Sequence, residues 1–316
     1  MSEAAIKIQN VSKSFGSRQI LTDINIKVKK GEIYGIIGVS GSGKSTLLNI
    51  ITDILPPTTG KIHYNIAKES KFYQISEKPE EIKKLFGYSF QHPAFHPMLT
   101  VEENLEHFAT LYGLHKNFGK ENTDHILDLV GLNKVKKILG NDLSGGMQKR
   151  LCLACSLVHS PKILFLDEPT SNLDPLLRKS TMDMLSKINK NGTTIIIASQ
   201  LLTELEKFCD RICIINNGKI VKEGTLDEIR KEHTPLTEIH LELLSGNYEK
   251  ILESLQKKIR LNEIKDEGRN LILYTTNAEK TLHNLLQIIE KNKETILTIN
   301  LNKPSLSDVF EFLVKK

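Results

Sequence analysis

Long hydrophobic runs are missing from this chain of 316 residues. Its most apolar stretches, "ILFL" at 163–166 and "TTIIIA" at 193–198, are strand-length. Neither approaches the ~18 consecutive apolar residues that read as a membrane span. The opening "MSEAAIKIQN" has no basic region followed by an apolar block, so no secretory signal is expected. Any membrane role must then come through another chain. Cysteine is scarce: Cys152, Cys155, Cys209 and Cys213 make one C-x-x-C and one C-x-x-x-C. That spacing invites a zinc reading. Both pairs lie inside apolar helix- or strand-like patterns, however, where cysteine is usually a small buried hydrophobe. A leaderless chain also implies a reducing compartment, which disfavours disulfides. A strong charge of one sign is lacking too. The 43 basic and 38 acidic residues leave a net charge of +5, too mild for the dense basic stripe of a nucleic-acid binder. No internal repeat or low-complexity tract is visible. With 39% hydrophobic and 26% charged residues, the composition is that of an ordinary globular chain.

What is present is strands alternating with helices. Residues 6–30 alternate in short β-like runs. "EIYGIIGV" at 32–39 is a continuous apolar strand entering a glycine-rich turn and then a helix. Such strands predict a mainly parallel sheet covered on both faces. Residues 61–90 read as edge strands with a short helix near 79–86, and residues 100–140 have helical periodicity. Strands return in "KILFLDEP", "TTIIIAS" and "RICIINNGKIV". A composition shift at "RKEHTPLTE", 230–238, marks a linker. The expected organisation is therefore a larger α/β domain at 1–232, with a helical insert at about 98–145, and an α+β accessory domain at 233–316. Strand–helix–strand–strand–helix–strand in the latter is the ferredoxin-like order.

"GVSGSGKST", 38–46, matches G-x-x-x-x-G-K-[ST] between a strand and a helix. Glycines at Gly38, Gly41 and Gly43, with Val39, Ser40 and Ser42 between them, let successive backbone N–H groups turn around phosphate oxygens. The following helix adds its positive end. Lys44 would reach the β- and γ-phosphates of ATP, the Ser45 hydroxyl would ligate Mg²⁺, and Thr46 continues the helix start. In "ILFLDEP", Asp167 comes off a buried strand toward the metal, and Glu168 can orient or deprotonate the attacking water. "LSGGMQKRL", 143–151, offers Ser144, Gly145 and Gly146 as backbone donors at a second helix N-terminus, a further anion site.

With that stretch the chain resembles the ATP-binding subunits of ABC transporters, whose signature is LSGG-[MQ]-Q. The resemblance covers residues 5 to about 230. It implies an α/β P-loop, RecA-like core with an antiparallel β subdomain and a helical insert. It also implies a head-to-tail pair of protomers with ATP between one chain's P-loop and the other's signature, and a separate transmembrane permease. No nucleic-acid partner is expected. By position, Phe15 matches the aromatic that stacks on adenine, and Gln91 in "YSFQHP" matches the glutamine that contacts Mg²⁺ or water. Ser144, Gly145, Gly146, Gln148 and Asp174 match the groups that face the partner's nucleotide. Asn172 replaces the usual glycine of the loop ending at Asp174. "PSLSDVFEFL", 304–313, resembles the C-terminal extension of drug, antibiotic or polysaccharide exporters.

One departure is chemical. Where the family carries a histidine that contacts the γ-phosphate, this chain has Gln200. Three readings stand side by side: the amide donates to phosphate and hydrolysis continues, slowed; the chain binds ATP and dimerises but scarcely hydrolyses; or the change has no effect. The leading expectation is an exporter motor. The alternative is a soluble or regulatory ABC protein, though one cassette without heptads argues against translation and repair ATPases. The accessory domain stays open between dimer support, regulation, membrane-subunit contact and passive packing.

Overall fold

The alternation over the first thirty residues folds as a hairpin, β1 (Ala4–Phe15) antiparallel to β2 (Arg18–Lys29). Ile6, Ile8 and Val11 from one strand and Leu21, Ile24 and Ile26 from the other turn into the core. This computed structural model describes residues 3–66, 71–114, 116–171, 173–233, 237–246, 248–256, 258–259, 261–302 and 310. They divide into two units, Met1–Gly224 and Thr225–Lys316. The division falls ahead of the Pro235 linker region.

In the first unit the hairpin leads to β3 (Ile33–Ile37), all five residues of which are buried. Helix α1 (Lys44–Ile51) follows the glycine-rich turn. Strands β4 (Thr59–Asn65) and β5 (Phe72–Tyr73) extend the hairpin into a four-stranded antiparallel sheet in the order β2-β1-β4-β5. After the short α2 (Pro79–Lys83), β6 (Phe86–Ser89) joins a different sheet. The helical insert opens at α3 (Val101–Leu111), which begins with a capping box. Thr100 Oγ1 accepts from the Glu103 N–H, and the Glu103 carboxylate accepts from the Thr100 N–H at 2.8 Å. Helix α4 (Lys116–Val130) buries Ile126, Leu127 and Val130 along one stripe, and α5 (Gly145–Leu157) carries the LSGG segment.

The core sheet is completed by β7 (Ile163–Asp167), α6 (Pro175–Lys190), β8 (Thr194–Ser199), α7 (Leu202–Leu205), β9 (Arg211–Asn216) and β10 (Lys219–Gly224). Its order is β10-β9-β3-β8-β7-β6, parallel except for β10. Strands β7 and β8 are buried along their whole length, as expected where both faces are covered. Because β3, β8 and β7 are parallel neighbours, the chain leaves all three at the same edge. Ligand sites of open α/β sheets lie at that carboxyl edge.

The second unit contains α8 (Leu226–His233), β11 (Thr237–Leu243), α9 (Glu249–Gln256), β12 (Glu263–Asp266), β13 (Leu271–Thr275), α10 (Ala278–Lys291) and β14 (Ile296–Asn302). The sheet order β12-β13-β11-β14, antiparallel throughout, is the ferredoxin-like arrangement. Ile239, Leu241, Leu273, Leu285 and Ile288 form its core. The tail at 304–313, apart from Phe310, lies outside the described residues.

His159, just past α5, ties the insert to the core sheet. Its ring stacks on Tyr112 at the end of α3, with centroids 3.6 Å apart and planes 7° from parallel. Its Nε2 is 2.9 Å from the Phe86 carbonyl oxygen, so Nε2 carries the proton and donates. Burial pushes its pKa down from 6.5 to about 4. The folded chain holds this imidazole neutral while the unfolded chain protonates it. The contribution to stability is thus constant above about pH 6.5 and is lost as pH falls from there toward 4, by roughly 3 kcal/mol at most. Denaturant midpoints followed from pH 7 to 4.5 should therefore fall less steeply in His159→Phe, which keeps the stack, than in the parent.

Candidate functional site

The turn after β3 is shaped by two glycines. At Gly38 a β-carbon would crowd the Ser42 hydroxyl and stand 2.6 Å from the Ile215 carbonyl oxygen. Gly43, the residue before α1, has φ +106°, and a β-carbon there would meet Leu21 Cδ2 at 2.7 Å. Only glycine fits both conditions. Val39 is 43% exposed on the outside of the turn, whereas Ser42 is buried. Inside the turn, the buried Lys44 ammonium donates to the carbonyls of Gly38 and Val39 at 2.9 and 3.2 Å.

Glu168, the first residue past β7, approaches from the neighbouring strand end. Its Oε1 lies 3.6 Å from Lys44 Nζ, with both side chains under one-tenth exposed. Its backbone takes a left-handed φ of 49°, a conformation that costs a non-glycine residue of order 1 kcal/mol. Two contacts with β8 hold it there: the Glu168 N–H donates to the Ala198 carbonyl at 2.9 Å, and the Ser199 hydroxyl donates to Oε2 at 3.2 Å. Asp167, one residue back, is buried. Its pKa is raised by that burial, opposed by a hydrogen bond from the Ser45 hydroxyl and by the charges of Lys44 and Lys149. Among the described residues its Oδ1 has no hydrogen-bond partner, and neither does Ser42 Oγ.

Lys44 and Glu168 border a cavity of about 360 Å³, whose lining does not include Asp167 or Ser42. Ser40, Gly41, Gly43, Lys44, Ser45 and Thr46 form one wall, and Gln91, Glu168 and Gln200 form another. Gln200 is exposed at the end of β8, and Gln91 is exposed beyond β6. Sequence reasoning had not singled out Arg18 and Ile20, which complete the lining. The available signal was the two-residue turn Gly16–Ser17, which pairs Arg18 with Phe15. Phe15 itself is 52% exposed and is not in the lining. One face of its ring is covered by Lys13 Nζ, 5.0 Å from the centroid.

The LSGG residues stand apart from this cavity. Ser144 caps α5, its hydroxyl accepting from the Met147 N–H at 3.4 Å. A β-carbon on Gly145 would meet open space, whereas one on Gly146 would meet Leu177 Cδ1 at 2.9 Å. Gln148 turns inward, donating to the carbonyls of Gly140 and Leu143. Asp174 caps α6, its Oδ1 accepting from the N–H groups of Leu176 and Leu177 at 3.0 Å. Asn172 lies outside the described residues. All four cysteines are buried free thiols. Burial pushes the pKa values of Cys155 and Cys209 up, and that of Cys213 to about 12. Among the described residues no cluster of three or more His, Cys, Asp or Glu side chains could hold a metal. No described helix is long and apolar enough to cross a membrane.

Core sheet, glycine-rich turn and paired acids define a P-loop nucleotide-binding cassette with a helical insert. The ABC transporter family profile matches residues 21–171, and that of the DrrA1-3-like ATP-binding protein C-terminal domain matches 224–313. The linearmycin resistance ATP-binding protein LnrL of Bacillus subtilis is 30% identical over 96% of both chains. The bacitracin transport ATP-binding protein BcrA of Bacillus licheniformis is 32% identical over 98% of this chain and 97% of its own length. A dimeric ATP-binding cassette in a post-hydrolysis state with ADP and Pi is 29% identical and superposes with a TM-score of 0.62, over 70% of this chain and 98% of its own. The chain belongs to the ATP-binding subunits of ABC transporters, in the exporter-type group that carries a DrrA-like C-terminal domain.

Arg18 presents one exposed cation to the cavity. A single exposed charge contributes about 1 kcal/mol. Equilibrium titration with a fluorescent ATP analogue should accordingly find Arg18→Ala about fivefold weaker than the parent.

Proposed function

We propose that this chain is the ATP-hydrolysing motor of a membrane exporter, working as a pair of protomers that close on ATP. One observation carries the reading: Lys44, Ser45, Glu168 and Gln200 share a cavity from which the chain's own LSGG residues are absent. A nucleotide held by the P-loop would need a second chain to present Ser144, Gly145 and Gly146 to it. The dimeric cassette with ADP and Pi supports that arrangement.

In this reading the P-loop amides and Lys44 bind the triphosphate, and Phe15 and Arg18 flank the base and sugar. The oxygen donors Ser45 and Asp167 fit a hard divalent cation, Asp167 Oδ1 being buried and without a partner among the described residues. Together with Gln91 they would hold Mg²⁺, which neutralises charge on the β- and γ-phosphates when bound. Glu168 orients the attacking water and accepts its proton; Ser199 fixes one carboxylate oxygen for that task. Gln200 donates an amide N–H to the γ-phosphate, a role open to its two-donor NH₂ group. Gln148 and Asp174 support the face turned to the partner.

The permease would dock on the apolar groove of about 250 Å³ between the core and the insert, floored by Phe86, Tyr88, Phe108 and Cys152. Ile54, Met98 and Leu111 are also exposed on this unit. Docking there would hold the chain on the cytoplasmic face of the membrane. The transport and resistance roles named for the relatives support export. A second reading, a regulatory ATP-binding protein with little turnover, draws on Gln200 alone.

Two measurements test the proposal. Light scattering of Glu168→Gln with ATP and Mg²⁺ should show a dimer that the nucleotide-free chain does not form; a protomer that stays solitary at saturating ATP rules the sandwich out. In phosphate-release assays the parent should turn over measurably and Gln200→His should be faster. A preorganised donor to developing charge is worth up to about 2.7–4 kcal/mol, part of which the amide already supplies. Gln200→Ala should be slower than the parent; equal rates would deny the amide any phosphate contact.

A further inference from the structure

The half-buried Lys149, on the first turns of α5, serves neither the cavity wall nor the LSGG backbone. Its ammonium reaches two other segments instead, through three oxygens. Nζ donates to the Gln91 carbonyl at 2.8 Å, to the Ser171 hydroxyl at 3.3 Å and to the Glu168 carbonyl at 3.4 Å. Ser171 closes the figure by donating its own hydroxyl to the Glu168 carbonyl at 2.9 Å. A lysine has three donors and no acceptor, so this clasp uses it fully. The segments are the chain beyond β6 and the loop between β7 and α6, which holds both Glu168 and Ser171. Two of the three residues it holds by their backbone, Gln91 and Glu168, put their side chains into the nucleotide cavity. The third element joined is α5 itself, whose first residues are Gly145 and Gly146.

We propose that Lys149 is a positioning residue that couples the nucleotide cavity of its own chain to the LSGG end of α5, which faces the partner's nucleotide. The inference rests on the sandwich reading above. When ligand draws the Gln91 and Glu168 side chains inward, their carbonyls carry the ammonium with them, and α5 moves as a rigid helix. Leaving a half-buried ammonium donor unmatched is costly, so the clasp transmits displacement instead of slackening.

The test uses the full chain with Lys149→Met, which keeps the stem and removes the donors, Lys149→Arg, which restores donors, and Ser171→Ala. Lys149→Met should lower kcat about tenfold, the scale expected of a network residue, while ATP affinity at the P-loop stays within about twofold. Lys149→Arg should recover most of the loss, and Ser171→Ala should add little in the Lys149→Met background. If Lys149→Met does not fold, Ser171→Ala alone should lower kcat at unchanged affinity. Parental kcat in these variants, a matching loss of ATP affinity, failure of arginine to rescue, or fully additive losses each overturn the coupling. In the Glu168→Gln background, ATP-driven dimerisation reads the same coupling without turnover, and Lys149→Met should need about tenfold more chain to dimerise. A parent that dimerises without releasing phosphate removes only the hydrolytic reading, and this arm still decides Lys149. A parent that never dimerises removes both.

Discussion

The nucleotide cavity depends on three buried strands ending in register. Ile37 of β3 lies beside Ser199 of β8, and Ala198 lies beside Asp167 of β7. Side chains alternate along a strand, so a slip of one residue would exchange the faces presented by Asp167 and its neighbours. Each of these strands is apolar up to its end and covered on both sides, so a slip would draw a polar end residue, Asp167 or Ser199, into the core. That hydrophobic constraint fixes where Lys44, Glu168 and Gln200 emerge. It also sustains the left-handed backbone of Glu168, because β8 supplies both the carbonyl and the hydroxyl that hold it. The strain is local, and the sheet offsets it.

Much of this was legible in the sequence because its causes are local. A glycine-rich turn between a strand and a helix announces a phosphate cradle through φ angles that few other residues adopt. The close approach of Ile215 behind Gly38 needed coordinates. The acids at the end of "ILFLDEP" were readable for the same reason: a continuous apolar strand has to end somewhere, and its end faces solvent or ligand. The second unit followed from element order, since the ferredoxin-like sequence of strands and helices leads to the observed β12-β13-β11-β14 sheet.

What stayed hidden is long-range. Arg18 belongs to the cavity through a hairpin register, not through a motif. His159 belongs to no motif of the sequence. Its stacking on Tyr112 joins residues 47 positions apart, which no periodicity reveals. Gln148 and Asp174 were assigned outward roles, and their described contacts are within their own chain, bonding the loop ahead of α5 and capping α6. The two uses are compatible in principle. A capped helix end is a rigid place from which to meet a partner, and Asp174 Oδ1 takes both N–H groups, so Oδ2 is not used by the cap.

A ligand can shift a protein between two arrangements only by as much as it binds one better than the other. In a cassette whose cavity and LSGG turn sit on different elements, that differential must pass through contacts joining them. Apolar packing of α5 against the core offers many contacts, but packing tolerates small sliding. A half-buried ammonium on three oxygens resists it, because each displaced acceptor must either follow or leave a donor unmatched. The chemistry of Gln200 makes this stiffness more important. An amide cannot gain a proton as the γ-phosphate develops charge, so it offers geometry without titration. In the proposed reading, with Gln200 at the phosphate, precise placement of the remaining groups, Glu168 above all, carries more of the work, and Lys149 adds to the β8 contacts that hold the backbone from which Glu168 projects.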